Sequence, residues 1–145
     1  MDVKSREEII KFAQKLNSTN LSPLRSGNIS LKAQNNDEDG FLITPSGKKY
    51  ENLKADDIVF VSLKGKYDEK GLQPSSEWRF HKDIYLNKTD AKAVVHAHSP
   101  HATAVSAHSK DIPAFHYMVA LAGGDDIKCA KYATFGTQEL SNNII

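Results

Sequence analysis

Ile9, Ala13 and Leu16 recur at helical spacing behind Ser5 and Glu8, which stand in the relation of a capping box, and Phe12 widens the apolar stripe. The pattern predicts an amphipathic helix that covers one face of a sheet. Asn17-Ser18-Thr19-Asn20 and Ser22-Pro23 break it, and beyond them the period shortens to two. Ile29-Ser30-Leu31-Lys32-Ala33 and Phe41-Leu42-Ile43-Thr44 read as the strands of a hairpin joined by the polar turn from Asn35 to Gly40. Ile58 to Leu63 reads as a third strand that closes at Lys64-Gly65, with Tyr67-Asp68 as a short partner. From Ser76 the helical period returns, with Phe80, Ile84 and Tyr85 on one stripe and Lys82, Asp83 and Lys88 on the other. The β-branched run before His96 predicts a strand, and Ser99-Pro100 reads as N-cap and N1 of a helix carrying Ala102, Val105 and Ser106. Ile112 to Tyr117 is strand-like, and Thr137 starts a capped helix that runs into two bare isoleucines, Ile144 and Ile145. The order of elements is that of a mixed α/β layer fold.

Composition narrows this picture. A chain of 145 residues has room for one domain, residues 1–145, able to bury roughly two thirds of its unfolded surface. The 19 Lys and Arg against 18 Asp and Glu leave a net charge of +1, so no long-range field draws in nucleic acid or an anionic membrane, and any anion must be recognised locally. Cys129 has no partner for an internal disulfide and reads as a small half-buried residue. With no apolar N-terminal run, the expected location is the cytoplasm. A finished domain buries a pair like Ile144-Ile145 against something that follows, so the reading expects further C-terminal sequence.

The chemistry concentrates at His96 and His98, two imidazoles two residues apart on one strand and therefore on one face. They are half of a zinc site, which needs three protein ligands when catalytic. The spacing alone is also that of two hydrogen-bonded histidines on a sheet face. Pro100 turns His101 away from that face, whereas His116, on another segment, leaves open a three-histidine site of His96, His98 and His116. A cupin places a glutamate a few residues after its His-x-His, and Ser99 to Thr103 supplies none. Upstream, Glu77 follows Ser75-Ser76 and precedes a helix, a carboxylate suited to general acid/base work beside an anion site. Ser26-Gly27-Asn28, Thr44-Pro45-Ser46-Gly47 and Ser75-Ser76 share small, hydroxyl-rich, turn-forming chemistry that can donate hydrogen bonds to a phosphate. Each alone is a turn; together, leading to a carboxylate and a histidine pair, they point to a small phosphorylated substrate.

In order along the chain, Gly27 to Ser30, Thr44 to Gly47, Ser75 to His81, Val94 to Pro100, His116 to Met118, Ala122 to Gly124 and Tyr132 to Leu140 resemble the class II sugar-phosphate aldolases of the class II aldolase/adducin family. The resemblance covers essentially the whole chain. It implies a three-layer α/β/α fold with a mainly antiparallel central sheet, C-terminally incomplete here, and a homotetramer when full length. It further implies phosphate binding by Asn28, Ser46, Gly47, Ser75 and Ser76, zinc ligation by His96 and His98, acid/base work by Glu77, catalysis by Tyr117 and an active-site wall at Phe135. The third zinc ligand of that family, a later histidine in an Asn/His-His-Gly segment, is absent from these 145 residues. The implied reaction is reversible cleavage of a ketose 1-phosphate, of the L-fuculose 1-phosphate kind, to dihydroxyacetone phosphate and L-lactaldehyde. A methylthioribulose-1-phosphate dehydratase and a non-catalytic adducin-like module are the alternatives; Glu77 disfavours the epimerases, which carry Asp there. The chemistry suits the residues, since a divalent cation can stabilise the charge formed beside a ketone when the carbon–carbon bond breaks.

Overall fold

Ile29 and Leu31 point to one face of a strand and Asn28 and Ser30 to the other, and a layer of helix covers each face. The structure, a computed structural model, describes residues 3–145. Helix α1 spans Val3–Ser18, strands β1 to β3 span Asn28–Asn35, Glu38–Ile43 and Val59–Ser62, helix α2 spans Trp78–Asn87 and strand β4 spans Ala93–His96. Helices α3, Pro100–Ser106, and α4, Gln138–Ile144, follow. The strands form one antiparallel sheet in the order β3-β2-β1-β4.

Alternation sorts the core into two halves. Ile9, Ala13 and Leu16 of α1 pack on Ile29, Leu42, Tyr50, Leu53 and Ile58 on one side of the sheet. Phe41, Ile43, Val59 and Val61 turn to the other side, where Tyr85 of α2 meets them. This is the α/β architecture expected from the sequence, with α1 below the sheet and α2 above it, and α4 packed on α2 through Ser141 and Gln138, whose side chains bond Asp83.

Several local expectations are corrected. Helix α1 has already begun at Val3, so Ser5 lies inside its first turn instead of capping it. Phe12 is 43% exposed, and the fourth inward position belongs to Arg6, whose guanidinium donates to the Ala55 and Ile58 carbonyls at 2.8 and 2.6 Å. The hairpin turn is tighter than the Asn35-to-Gly40 loop: Asn35 pairs with Glu38, and Asn36 and Asp37 between them have φ of 48° and 63°, the left-handed pair a two-residue turn requires. No strand forms at Tyr67-Asp68, because the Asp68 carboxylate and carbonyl capture the Lys70 and Gly71 N–H groups in a turn. Nor does Ile112 to Tyr117 form one. Pro113 has no N–H to offer a ladder, pairing there shrinks to the bridge of Ile112 with Ile127, and Tyr117–Ala122 winds into a 3-10 turn. Among the described residues no helix is long and apolar enough to cross a membrane.

Candidate active site

The start of β1, the end of β4 and the start of α2 meet at one place. Asn28 pairs with His96 across the sheet, which puts both side chains on the face that α2 covers. Helix α2 begins above them with Glu77 at its N-cap position, where the helix dipole favours a negative charge. The outcome is a cluster of donors and acceptors: Asn28 Nδ2 donates to Glu77 Oε2 at 2.8 Å, His96 Nε2 lies 3.3 Å from the same oxygen, and His98 Nε2 lies 3.0 Å from His96 Nε2. Burial lowers the pKa of His96, the Glu77 carboxylate raises it and His98 lowers it again.

Two imidazole nitrogens facing each other at 3.0 Å fit two donors of a tetrahedral cation, which bonds of about 2.0–2.1 Å would hold roughly 3.4 Å apart. Among the described residues no set of three or more His, Cys, Asp or Glu is placed to hold a metal ion. The alternative third histidine is not assembled: His116 caps the Tyr117–Ala122 turn, its Nδ1 accepting from the Met118 N–H at 3.2 Å, with its ring against Phe115 and Tyr117.

Beside the cluster lies a cleft of about 340 Å³. All three hydroxyl-rich segments reach it: Gly27 and Asn28, Ser46 and Gly47, and Ser75 and Ser76 line the wall, with Glu77, His98 and Phe135 closing the end. The Pro45–Pro74 bridge and the bonds from Ser46 N to the Gln73 carbonyl and from Ser75 N to the Thr44 carbonyl tie two of these segments together. Those bonds consume two N–H groups, whereas the N–H groups of Gly47 and Ser76 have no partner among the described residues. Gly47, at φ 76°, has the left-handed backbone that turns the loop, and the Ser26 hydroxyl is buried without a partner at the cleft wall. Asn28 contributes differently from expectation, since its amide is held by Glu77 and His81.

Tyr117 is not brought in. Its ring is 78% exposed, on a segment that does not line the cleft. Conversely, Arg25 does line it and was not singled out from the sequence. Leu24 and Arg25 both have positive φ, 54° and 64°, and the Arg25 guanidinium donates to the Gly47 carbonyl at 3.0 Å, bringing a full positive charge to the wall beside Lys48 and the serine hydroxyls. Its signal was its place directly before Ser26-Gly27.

Gly27 is required by a close approach: a Cβ there would lie 2.6 Å from the His96 carbonyl oxygen. Gly27→Ala should therefore force β1 and β4 apart and cost about 1–3 kcal/mol, read as a lower urea midpoint with unchanged slope.

His81 lies fully buried above β1. Burial, with the neighbouring His96, pushes its pKa down from 6.5 to about 3. The folded-state value is thus depressed, so between pH 6.5 and 3 the unfolded chain binds a proton that the folded chain does not. Its contribution to stability is complete above pH 6.5 and declines as the pH falls towards 3. Urea titrations across that window should show this decline, and a His81→Gln variant should show a shallower one.

Comparisons with known proteins place the chain in a family. The family profile described as Class II Aldolase and Adducin N-terminal domain matches residues 7–145. An L-fuculose phosphate aldolase of Escherichia coli K12 is 48% identical over 141 residues, which are 97% of this chain and 63% of that protein. A 5-methylthioribulose-1-phosphate/5-deoxyribulose-1-phosphate aldolase of Rhodospirillum rubrum is 45% identical over 140 residues, 97% of this chain and 61% of its own length. Among solved structures, an L-fuculose 1-phosphate aldolase superimposes with a TM-score of 0.89 at 37% identity, covering 99% of this chain and 66% of that one. The chain thus spans somewhat less than two thirds of the curated relatives it matches.

Proposed function

Since the chain belongs to the class II aldolase and adducin N-terminal domain family, we propose that it carries the phosphate cradle, the acid/base carboxylate and two zinc ligands of an aldolase acting on ketose 1-phosphates of the L-fuculose 1-phosphate kind. The observation that carries this reading is the meeting of Glu77, His96 and His98 within 3.0–3.3 Å beside a cleft walled by hydroxyls and free N–H groups.

In this reading the phosphoryl group sits against Ser46, Ser75 and Ser76, the free N–H groups of Gly47 and Ser76 and the charge of Arg25, and its oxygens satisfy the Ser26 hydroxyl. His96 and His98 are the zinc ligands this chain supplies, and a third comes from outside these 145 residues. Zinc, when bound, supplies positive charge against the negative charge that develops beside the ketone. Glu77 takes the proton of the substrate hydroxyl on the far side of the scissile bond, and that carbon becomes the aldehyde as the carbon–carbon bond breaks. The electron pair passes to the carbon beside the ketone, and its protonation yields dihydroxyacetone phosphate. Phe135, which lines the cleft, serves as an active-site wall. A role for Tyr117 as proton donor requires that a second copy present it, in keeping with the homotetramer implied by the resemblance.

The Rhodospirillum rubrum relative favours a second substrate reading, a 5-deoxyribulose 1-phosphate, with the same cradle and a different aldehyde. One experiment tests the proposal and separates the substrates: calorimetric zinc titration of the protein and of His96→Ala, followed by release of dihydroxyacetone phosphate from each ketose phosphate. Stoichiometric zinc, lost in His96→Ala, together with turnover of either sugar phosphate supports it. In a chain that includes the third ligand, zinc binding without turnover, or no zinc binding, overturns the catalytic reading and leaves an adducin-like module.

A further inference from the structure

The face of β1 beneath α2 holds a line of buried polar groups that the reaction scheme does not use. Tyr85 OH lies 2.8 Å from Ser30 Oγ, Ser30 Oγ lies 2.7 Å from His81 Nδ1, and His81 Nε2 lies 2.5 Å from Asn28 Oδ1. Asn28 Nδ2 then donates to Glu77 Oε2 at 2.8 Å. Ser30 and His81 have no solvent exposure, and Asn28 and Tyr85 have almost none. Water is therefore not a ready substitute for any link in this line.

Chemistry assigns every proton in it. The Asn28 amide presents its NH₂ to a carboxylate, so its carbonyl oxygen faces His81 and can only accept. His81 must then carry its proton on Nε2. Buried beside no acid of its own, the ring is neutral, in line with its strongly lowered pKa, and its Nδ1 is a lone pair that takes the Ser30 hydroxyl proton. Ser30 has no second proton, so Tyr85 donates to Ser30, while the Val94 backbone bonds the phenol. All four links point the same way, towards Glu77. The carboxylate's other oxygen, Oε1, makes no hydrogen bond among the described residues.

We propose that Tyr85, Ser30 and His81 are positioning residues: they lock His81 in its Nε2–H tautomer, which locks the Asn28 amide with its NH₂ towards Glu77, which commits Oε2 and leaves Oε1 as the proton-accepting oxygen. The assignment of a catalytic task to Oε1 rests on the aldolase reading; the tautomer lock does not. If the Ser30 proton is withdrawn, His81 can move its own proton to Nδ1. Two lone pairs then confront each other between His81 and Asn28, the amide turns over, and its oxygen repels the Glu77 carboxylate. The same line explains why α2 carries a histidine at a position where a leucine would give a cheaper core.

The test has one readout in the unreacted protein and one in turnover. Nitrogen-15 correlation spectra of the histidine rings at pH 7 should show His81 protonated on Nε2 alone, and Ser30→Ala should convert a measurable share to the Nδ1–H form. In the zinc-loaded enzyme, Ser30→Ala should lower kcat by about 10–100-fold, the range typical of lost outer-shell partners, with KM changed by about twofold or less. His81→Gln, which keeps an N–H at the Nε2 position, should retain more activity than His81→Leu, and Tyr85→Phe, which leaves the Ser30 proton in place, should fall between wild type and Ser30→Ala. An Nδ1–H or doubly protonated His81 in the unaltered protein, or a tautomer indifferent to Ser30→Ala, overturns the lock. Equal kcat in Ser30→Ala and wild type overturns its catalytic use. Should the unaltered protein with its third zinc ligand present cleave no ketose phosphate, the aldolase reading fails, and the ring spectra still decide the tautomer lock.

Discussion

Replacing Glu77 by glutamine should lower ketose 1-phosphate cleavage by about 10²–10⁴-fold, the usual worth of a positioned acid/base group, while leaving the fold intact. The amide is close in shape to the carboxylate and still offers an oxygen to Asn28 Nδ2, so the buried hydrogen-bonded line keeps its last acceptor. What disappears is the ability to hold a proton between the substrate hydroxyl and the product. Dihydroxyacetone phosphate release measures the rate, zinc calorimetry checks that His96 and His98 still bind, and a loss smaller than about tenfold would show that Glu77 is not the acid/base group.

Phe41→Ala should destabilise the domain by about 3–5 kcal/mol, a large fraction of the roughly 5–15 kcal/mol a whole domain commands. Phe41 has no solvent exposure and sits on the sheet face under α2, its ring 5.4 Å from Tyr85 and 6.5 Å from His81. Truncation leaves a void next to the line of polar groups that ends on Glu77. Urea unfolding should report the loss, with Phe12→Ala as the control: Phe12, on the outer side of α1, should cost less than about 0.5 kcal/mol. Similar effects for the two would mean that the face under α2 is not close-packed.

These two phenylalanines show where the sequence was legible. Periodicity finds the inward stripe of α1 from Ile9, Ala13 and Leu16, because each is apolar and has no alternative to burial. It misassigns Phe12 and misses Arg6, because the next inward position faces the carbonyls of Ala55 and Ile58, which require a donor. Strand β1 shows the converse. By alternation Asn28 and Ser30 belong to the solvent side, yet they are among the most buried residues, because α2 lies over them with His81, Tyr85 and Glu77 as partners. A polar position in a strand states that it needs hydrogen bonds; the sequence does not say whether water or protein provides them.

The hydroxyl-rich segments were readable as candidates because Gly27, Gly47 and the serines are turn-forming residues, but two of the segments are held together by long-range bonds, Ser46 N to the Gln73 carbonyl and Ser75 N to the Thr44 carbonyl. His96, His98 and Glu77 were readable as candidates, but their convergence depends on the antiparallel pairing of Asn28 with His96, a long-range fact. Arg25 escaped notice because two left-handed residues, and no motif, bring it to the cleft. Tyr117 was expected at the site, and its segment stands away from it for a local reason: the chain after Pro113 coils instead of joining the sheet.

Strands β3 and β4 are both four-residue edge strands, but β3 is mostly buried whereas no residue of β4 is, so of the four strands β4 is positioned to open first. It also carries His96. Anything that clasps His96 to His98 must therefore slow the fraying of that edge, by RT ln(1 + [L]/Kd) for an ion that binds only the closed form. Amide deuterium uptake at Val94 to His96 would then gauge cation occupancy without any substrate, and the margin of the domain would tighten or loosen with the supply of the ion.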